Sequence, residues 1–154
     1  MHWLENRIPP PLVATLFGLL MWVAAHQLPG GLELTIEWRV GAGLVALLLG
    51  AAICLAGVLS FHHARTTVNP LRPETASALV SAGVYRYTRN PMYLGFATAL
   101  VAWSIFLAWP PALLGVLGFV LYMNRFQIGS EERALTRLFG DEFARYCNRV
   151  RRWI

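Results

Sequence analysis

The chain has 154 residues, 56% of them hydrophobic and only 14% charged. Soluble domains carry about 25% charged residues, so the composition argues against an ordinary water-soluble globule and for a membrane protein. The net charge of +5 comes from 13 basic residues, all arginine, against eight acids; they flank apolar stretches, which fits lipid headgroups and leaves no basic domain for nucleic acid.

Three windows, 8–32, 40–64 and 90–124, contain no Asp, Glu, Lys or Arg. A membrane-spanning helix needs about 20 apolar residues. The first window predicts one span over 12–28, ended by Pro29-Gly30-Gly31. A secretory signal is the alternative there, opposed by Glu5 and by Pro9-Pro10-Pro11. The second window predicts a span over 40–61. Pro110-Pro111 divides the third, because proline breaks a helix interior but suits a first turn. That predicts a tight transmembrane hairpin, 91–108 and 111–123.

Beyond Arg125, Glu131-Glu132 precede Leu135, Leu138 and Phe139, and Asp141-Glu142 precede Phe143, Tyr146 and Val150. The three- and four-residue spacing and the early acids predict two short amphipathic helices hinged at Gly140, lying on the inner membrane face. Twelve of the 13 arginines fall on the side of both termini and the loop 61–89, so the positive-inside rule puts that side in the cytoplasm, with Trp38 and Trp109 at the outer interface and Trp3 and Trp153 near the inner one. The expected fold is all-α, a polytopic membrane protein of about four spans.

Candidate chemistry gathers at the inner side. Asn90-Pro91 is a helix-start pair, with Asn expected to cap and Pro to fill the first position. A helix start beside Arg86 and Arg89 suits carboxylate or phosphate. Glu131-Glu132 would meet a sulfonium, an ammonium or ribose hydroxyls. The hairpin returns both clusters to one side, so they can be neighbours around a zwitterionic ligand. No phosphate loop or dinucleotide fingerprint is present. Adjacent His62-His63 and the isolated Cys54 and Cys147 give no metal site or disulfide framework. Gly115 and Gly118 offer a surface for a partner helix and a homo-oligomer.

The runs Ser77-Ala78-Leu79-Val80, Gly83-Val84-Tyr85, Arg89-Asn90-Pro91-Met92-Tyr93-Leu94-Gly95, Glu131-Glu132, Leu138-Phe139-Gly140-Asp141-Glu142-Phe143-Ala144-Arg145-Tyr146 and Arg149-Val150 resemble the isoprenylcysteine carboxyl methyltransferase family. That group is similar in turn to membrane phospholipid methyltransferases. The resemblance implies a single membrane-embedded domain over 1–154, with its motif region at 61–154. It implies an S-adenosyl-L-methionine-dependent enzyme embedded in the membrane, acting on a hydrophobic or lipid-linked acceptor; the expected location is a bacterial inner membrane, multi-pass, with both termini cytoplasmic. Carried over by position, Ser77, Ala78, Leu79, Val80, Tyr85, Asn90, Pro91, Met92, Tyr93 and Glu131 would line the cofactor pocket. Arg89, Glu131, Glu132 and Arg125 would be the catalytic set. Gln127 stands where the eukaryotic members have an acceptor-binding arginine, and Arg125 lies nearby as a substitute. The acceptor therefore stays open among carboxylate, thiol, amine and other lipidic groups. Related motifs in NADPH-dependent sterol reductases leave a membrane reductase as an alternative, and a non-catalytic sensor or assembly protein that kept the pocket as another.

Overall fold

The computed structural model describes residues 5, 7–63 and 78–154. Ser77, Arg65, Arg72 and Trp3 lie outside them. Among the described residues the fold is all helical: α1 (Pro10–Gln27), α2 (Ile36–His63), α3 (Pro91–Leu107), α4 (Leu113–Tyr122) and α5 (Gly129–Arg149). A 3-10 turn, Gly83–Arg86, precedes α3; another, Pro110–Ala112, opens α4; and a π-turn, Met123–Ile128, joins α4 to α5. The protein is a polytopic α-helical membrane protein. α1, α2 and the helical run Pro110–Arg149, whose apolar part ends at Asn124, are long and apolar enough to cross a bilayer, and α3 is a shorter apolar helix of 17 residues. At 1.5 Å per residue α3 still reaches about 26 Å.

The proline and glycine signals set the helix ends. Prolines occupy the first turns of α1 and α3, where the amide they lack would have no partner. α3 stops at Ala108, which takes the left-handed conformation at φ 51°. The peptide N–H of Leu32 then donates to Ala108 O at 2.7 Å, tying the α1–α2 loop to the hairpin tip. Trp109, expected in the outer aromatic belt, is instead buried at this tip, its indole N–H donating to Pro29 O at 3.1 Å. Arg39 is held at the same end by Phe106 O, 2.7 Å away.

α2 touches the bundle through small residues. Gly43, Gly50 and Gly57 are its buried positions and face Ala102, Gly95 and Pro91 of α3 in turn. A Cβ on Gly50 would stand 2.8 Å from Gly95 O, so only glycine permits this backbone approach. The rest of α2 exposes a leucine-rich surface, as a lipid-facing helix does. α1 packs on the hairpin from the other side. Phe17 meets Phe119 edge-on, and the Trp103 indole N–H donates to Gly18 O at 3.0 Å. Gly115 and Gly118 receive Met21 and Phe17 of α1. Their expected role as an oligomer surface is therefore corrected: the small residues are there to seat α1 within the chain.

α5 bends where its sequence places glycine: Gly140 takes φ 46°, ψ −120°. Beyond the bend Phe143, Tyr146 and Val150 form a second, small core with Leu79, Leu135, Phe139 and Cys147. That core packs α5 against the segment leading into α3, and so fixes the two halves of the candidate site.

Candidate functional site

Two polar clusters sit side by side where α3 begins and the π-turn ends. The first is built on Tyr93, in the first turn of α3. Its hydroxyl donates to Glu131 Oε1, and the Gln127 amide donates to the same oxygen at 3.0 Å. Tyr93 is buried and Gln127 is only 2% exposed, within a core of Phe119, Met123 and Ile128. Glu131 lies beyond the apolar stretch that ends at Asn124. Burial pushes its carboxyl up to about 7, while the bonds from Tyr93 and Gln127 pull the other way and Glu132 adds to the rise. Tyr85 belongs to the same neighbourhood. Burial above all, with the Tyr146 phenol and the Glu131 carboxylate, keeps its phenol protonated far above the usual range.

The second cluster is built on Glu132. Arg89 Nη2 donates to Glu132 Oε1 at 3.0 Å. Arg152 grips the same carboxylate with two donors, Nε to Oε1 at 3.1 Å and Nη2 to Oε2 at 2.5 Å. Arg89 Nη1 also donates to Cys147 O at 3.3 Å. Arg89 Nε is buried without a hydrogen-bond partner among the described residues. A buried donor left unmade costs the full desolvation of that group, so it marks a place where an acceptor is wanted.

The segment after α5 stitches the clusters to the start of α3. The Arg89 peptide N–H donates to Arg151 O at 3.0 Å. Arg152 O accepts from Asn90 Nδ2 at 2.8 Å and from Thr88 Oγ1 at 3.4 Å. Trp153 Nε1 donates to Asn124 Oδ1 at 3.0 Å, and the buried Tyr146 hydroxyl to Tyr85 O at 2.8 Å. Asn90 is thus not the side-chain cap its sequence position predicts. No side-chain cap bond forms at α3; the side chain instead donates from Nδ2 to Arg152 O.

The expected residues divide between the clusters. Arg89 meets Glu132, and Glu131 is met by Tyr93 and Gln127. Arg125 does not join them: its side chain is 54% exposed, pairs with Glu5 at 3.4 Å and lies over the Phe126 ring. Residues two apart on a helix face nearly opposite ways, so with Gln127 turned inward Arg125 is turned out. Pro91 and Met92 are turned to Gly57 of α2. Leu79 packs on the second core and Val80 is buried, while Ala78 is half-buried. The sequence reading missed Arg152, Thr88 and Tyr146. Tyr146 stands inside one of the motif runs but was read there only as an apolar helix position, and the signal for Thr88 and Arg152 was their nearness to such runs.

A comparison with known families decides the membership. The phospholipid methyltransferase profile matches residues 38–142, which takes in all of α3 and both glutamates. The chain belongs to the phospholipid methyltransferase family. Within it, the chain is 33% identical over 122 residues to a probable protein-S-isoprenylcysteine O-methyltransferase of Oryza sativa, covering 77% of this chain and 62% of the rice protein. It is 28% identical over 141 residues to protein-S-isoprenylcysteine O-methyltransferase B of Arabidopsis thaliana, covering 90% of this chain and 70% of that one. A Haemophilus influenzae protein described only as uncharacterized is 48% identical over 63 residues, which is 41% of this chain and the whole of that protein. The chain thus spans under two thirds of the rice relative's length. No solved structure matches it. In this member of the phospholipid methyltransferase family, the matched region takes in the glycine-packed helix pair, the hairpin, the Tyr93–Gln127–Glu131 cluster and the Arg89–Glu132 pair, while Arg152 lies beyond it.

Proposed function

We propose that the chain is a membrane methyltransferase that uses S-adenosyl-L-methionine and methylates a hydrophobic or lipid-linked acceptor. One observation carries the reading: in a methyltransferase family member, a cation-rich cluster with a buried unpartnered donor stands beside a cluster built on a protonatable carboxylate. Such a pair suits a ligand that carries both a carboxylate and an ammonium. Arg89 would take the carboxylate through Nε, and Glu131 the ammonium or the ribose hydroxyls. Tyr85, Asn90 and Tyr93 would border the donor, and Glu132 would hold Arg89.

When bound, the donor supplies a methyl group on a sulfonium, open to in-line displacement. The chain's part is alignment and exclusion of water. Tyr93 and Gln127 orient the Glu131 carboxylate. The buried side chains of Phe119, Met123 and Ile128 keep bulk water from its α4 side. The hydrophobic acceptor would reach this place along the lipid-facing helices. Gln127 is neutral and turned to Glu131, so this cluster offers an acceptor carboxylate no cation. That favours a thiol, amine or other lipidic group. By the arginine distribution, the clusters face the cytoplasm of a bacterial inner membrane.

The test is isothermal titration of the purified full chain with S-adenosylhomocysteine, in detergent and in lipid nanodiscs. Saturable binding supports the reading. Absence of heat at millimolar ligand in both media overturns it.

A further inference from the structure

Glu132 has two guanidinium partners, and they hold it differently. Arg152 covers both of its oxygens, whereas Arg89 touches only Oε1 and only through Nη2. The result is two cations on one anion, with Arg89 Nε buried and unsatisfied. An arginine and a carboxylate left alone prefer a two-point pairing. Released from Arg152, Glu132 would turn both oxygens to Arg89, engage Nε and cancel the local positive charge. Arg152 prevents this, and its own place is fixed by its backbone. Its carbonyl accepts from Asn90 and Thr88, the carbonyl before it accepts from Arg89 N–H, and Trp153 is anchored on Asn124.

We infer that Arg152 is a positioning residue for the carboxylate end of the methyl donor: it draws Glu132 away so that Arg89 keeps a donor free for the ligand. The inference rests on the methyl-donor reading above and adds to it a residue that never touches the ligand. The geometry separates this role from plain structural support. Support would serve every ligand of the pocket, whereas Arg152 serves only ligands with a carboxylate.

Two ligands distinguish these in titrations of the full chain: S-adenosylhomocysteine and its decarboxylated analogue, S-adenosyl-3-thiopropylamine, which keeps the amine. Arg152→Gln is expected to weaken S-adenosylhomocysteine about tenfold and the analogue less than about twofold, since a tenfold change is one lost charge-assisted contact. Adding Glu132→Gln to Arg152→Gln removes the carboxylate that would capture Arg89. It should restore S-adenosylhomocysteine binding to within about threefold of the parent. Equal losses for both ligands, no loss, or no recovery in the double variant overturns the inference. If Arg152→Gln does not fold, Arg152→Lys decides by the same ratio of the two ligands. Failure of the parent chain to bind either ligand overturns the methyl-donor reading itself, and this inference with it.

Discussion

Glu131 concentrates the residue-scale chemistry, because burial and hydrogen bonding act on its carboxyl in opposite directions. Its folded-state value, raised from 4.5 to about 7, means the folded ligand-free protein holds that proton more tightly than the unfolded chain does. Ligand-free stability from this group is therefore full below about 4.5 and falls as pH rises towards 7. A ligand that brings its ammonium to Glu131 reverses the preference, since it needs the ionised form. S-adenosylhomocysteine affinity should rise as pH increases through about 7, and Glu131→Gln should abolish that rise along with most of the affinity. Titrations between pH 5.5 and 8.5, analysed with buffers of different ionisation heat, read out the proton released. Tyr93→Phe removes a hydrogen bond that favours the charged form, so the midpoint should move to higher pH. A midpoint that stays put in Tyr93→Phe would show that the bond does not govern Glu131. The glutamates were legible in the sequence because two adjacent acids follow an apolar span. Their partners were not. Adjacent residues on a helix face different ways, and only the packed turn decides that Glu131 meets Tyr93 while Glu132 meets Arg89 and Arg152. Arg152 lay in an arginine-rich run with no periodicity to single it out.

Glycines govern the element scale, since α2 has no large buried side chain with which to hold α3. Gly50→Leu would drive a side chain into the Gly95 backbone, which cannot yield as a flexible side chain does. Overpacking of this kind costs about 1–3 kcal/mol, and a rigid backbone neighbour puts it at the upper end. A fall in the melting temperature of the detergent-solubilised protein, followed by tryptophan fluorescence, should accompany it. Gly41→Leu is the matched control: it lies on the same helix with open space around its Cβ position, and its melting temperature should stay close to that of the parent. Equal effects at both positions would mean that helix propensity, not close approach, explains these glycines. Most of the element plan was legible because proline and glycine announce helix ends in any solvent. The hairpin, its tip at Pro110-Pro111 and the bend at Gly140 all follow from that. The π-turn was not legible. Residues 123–128 read as ordinary helix, and the choice between a four- and a five-residue hydrogen-bond repeat is made by packing. Trp109 misled for a related reason: an indole at a span boundary suits the interface, and it equally suits a hairpin tip that offers Pro29 O.

At the scale of the whole molecule, the two ends of the bundle differ in how they treat charge. The hairpin-tip end has Arg39, and its guanidinium is held by Phe106 O and lies over the Phe106 ring. The opposite end carries Arg86, Arg89, Arg125 and the arginines of α5 and the segment after it, with many of these side chains exposed. Exposed arginines resist translocation, whereas one arginine satisfied by the protein weighs less. The site lies at the arginine-rich end, and a charged nucleoside amino acid does not cross a bilayer unaided. For the proposed activity, orientation sets which compartment supplies the methyl donor, and the positive-inside rule predicts the cytoplasm. Single cysteines test this in a chain with Cys54 and Cys147 replaced by alanine. Glu33→Cys lies in the exposed α1–α2 loop at the tip end, and Ile154→Cys is exposed at the site end. A membrane-impermeant maleimide should label Glu33→Cys in intact cells, and Ile154→Cys only after the membrane is opened. The reverse pattern would put both polar clusters on the outer face. The helices and their contacts would be unchanged, but the methyl donor would then have to come from a compartment the arginine distribution argues against.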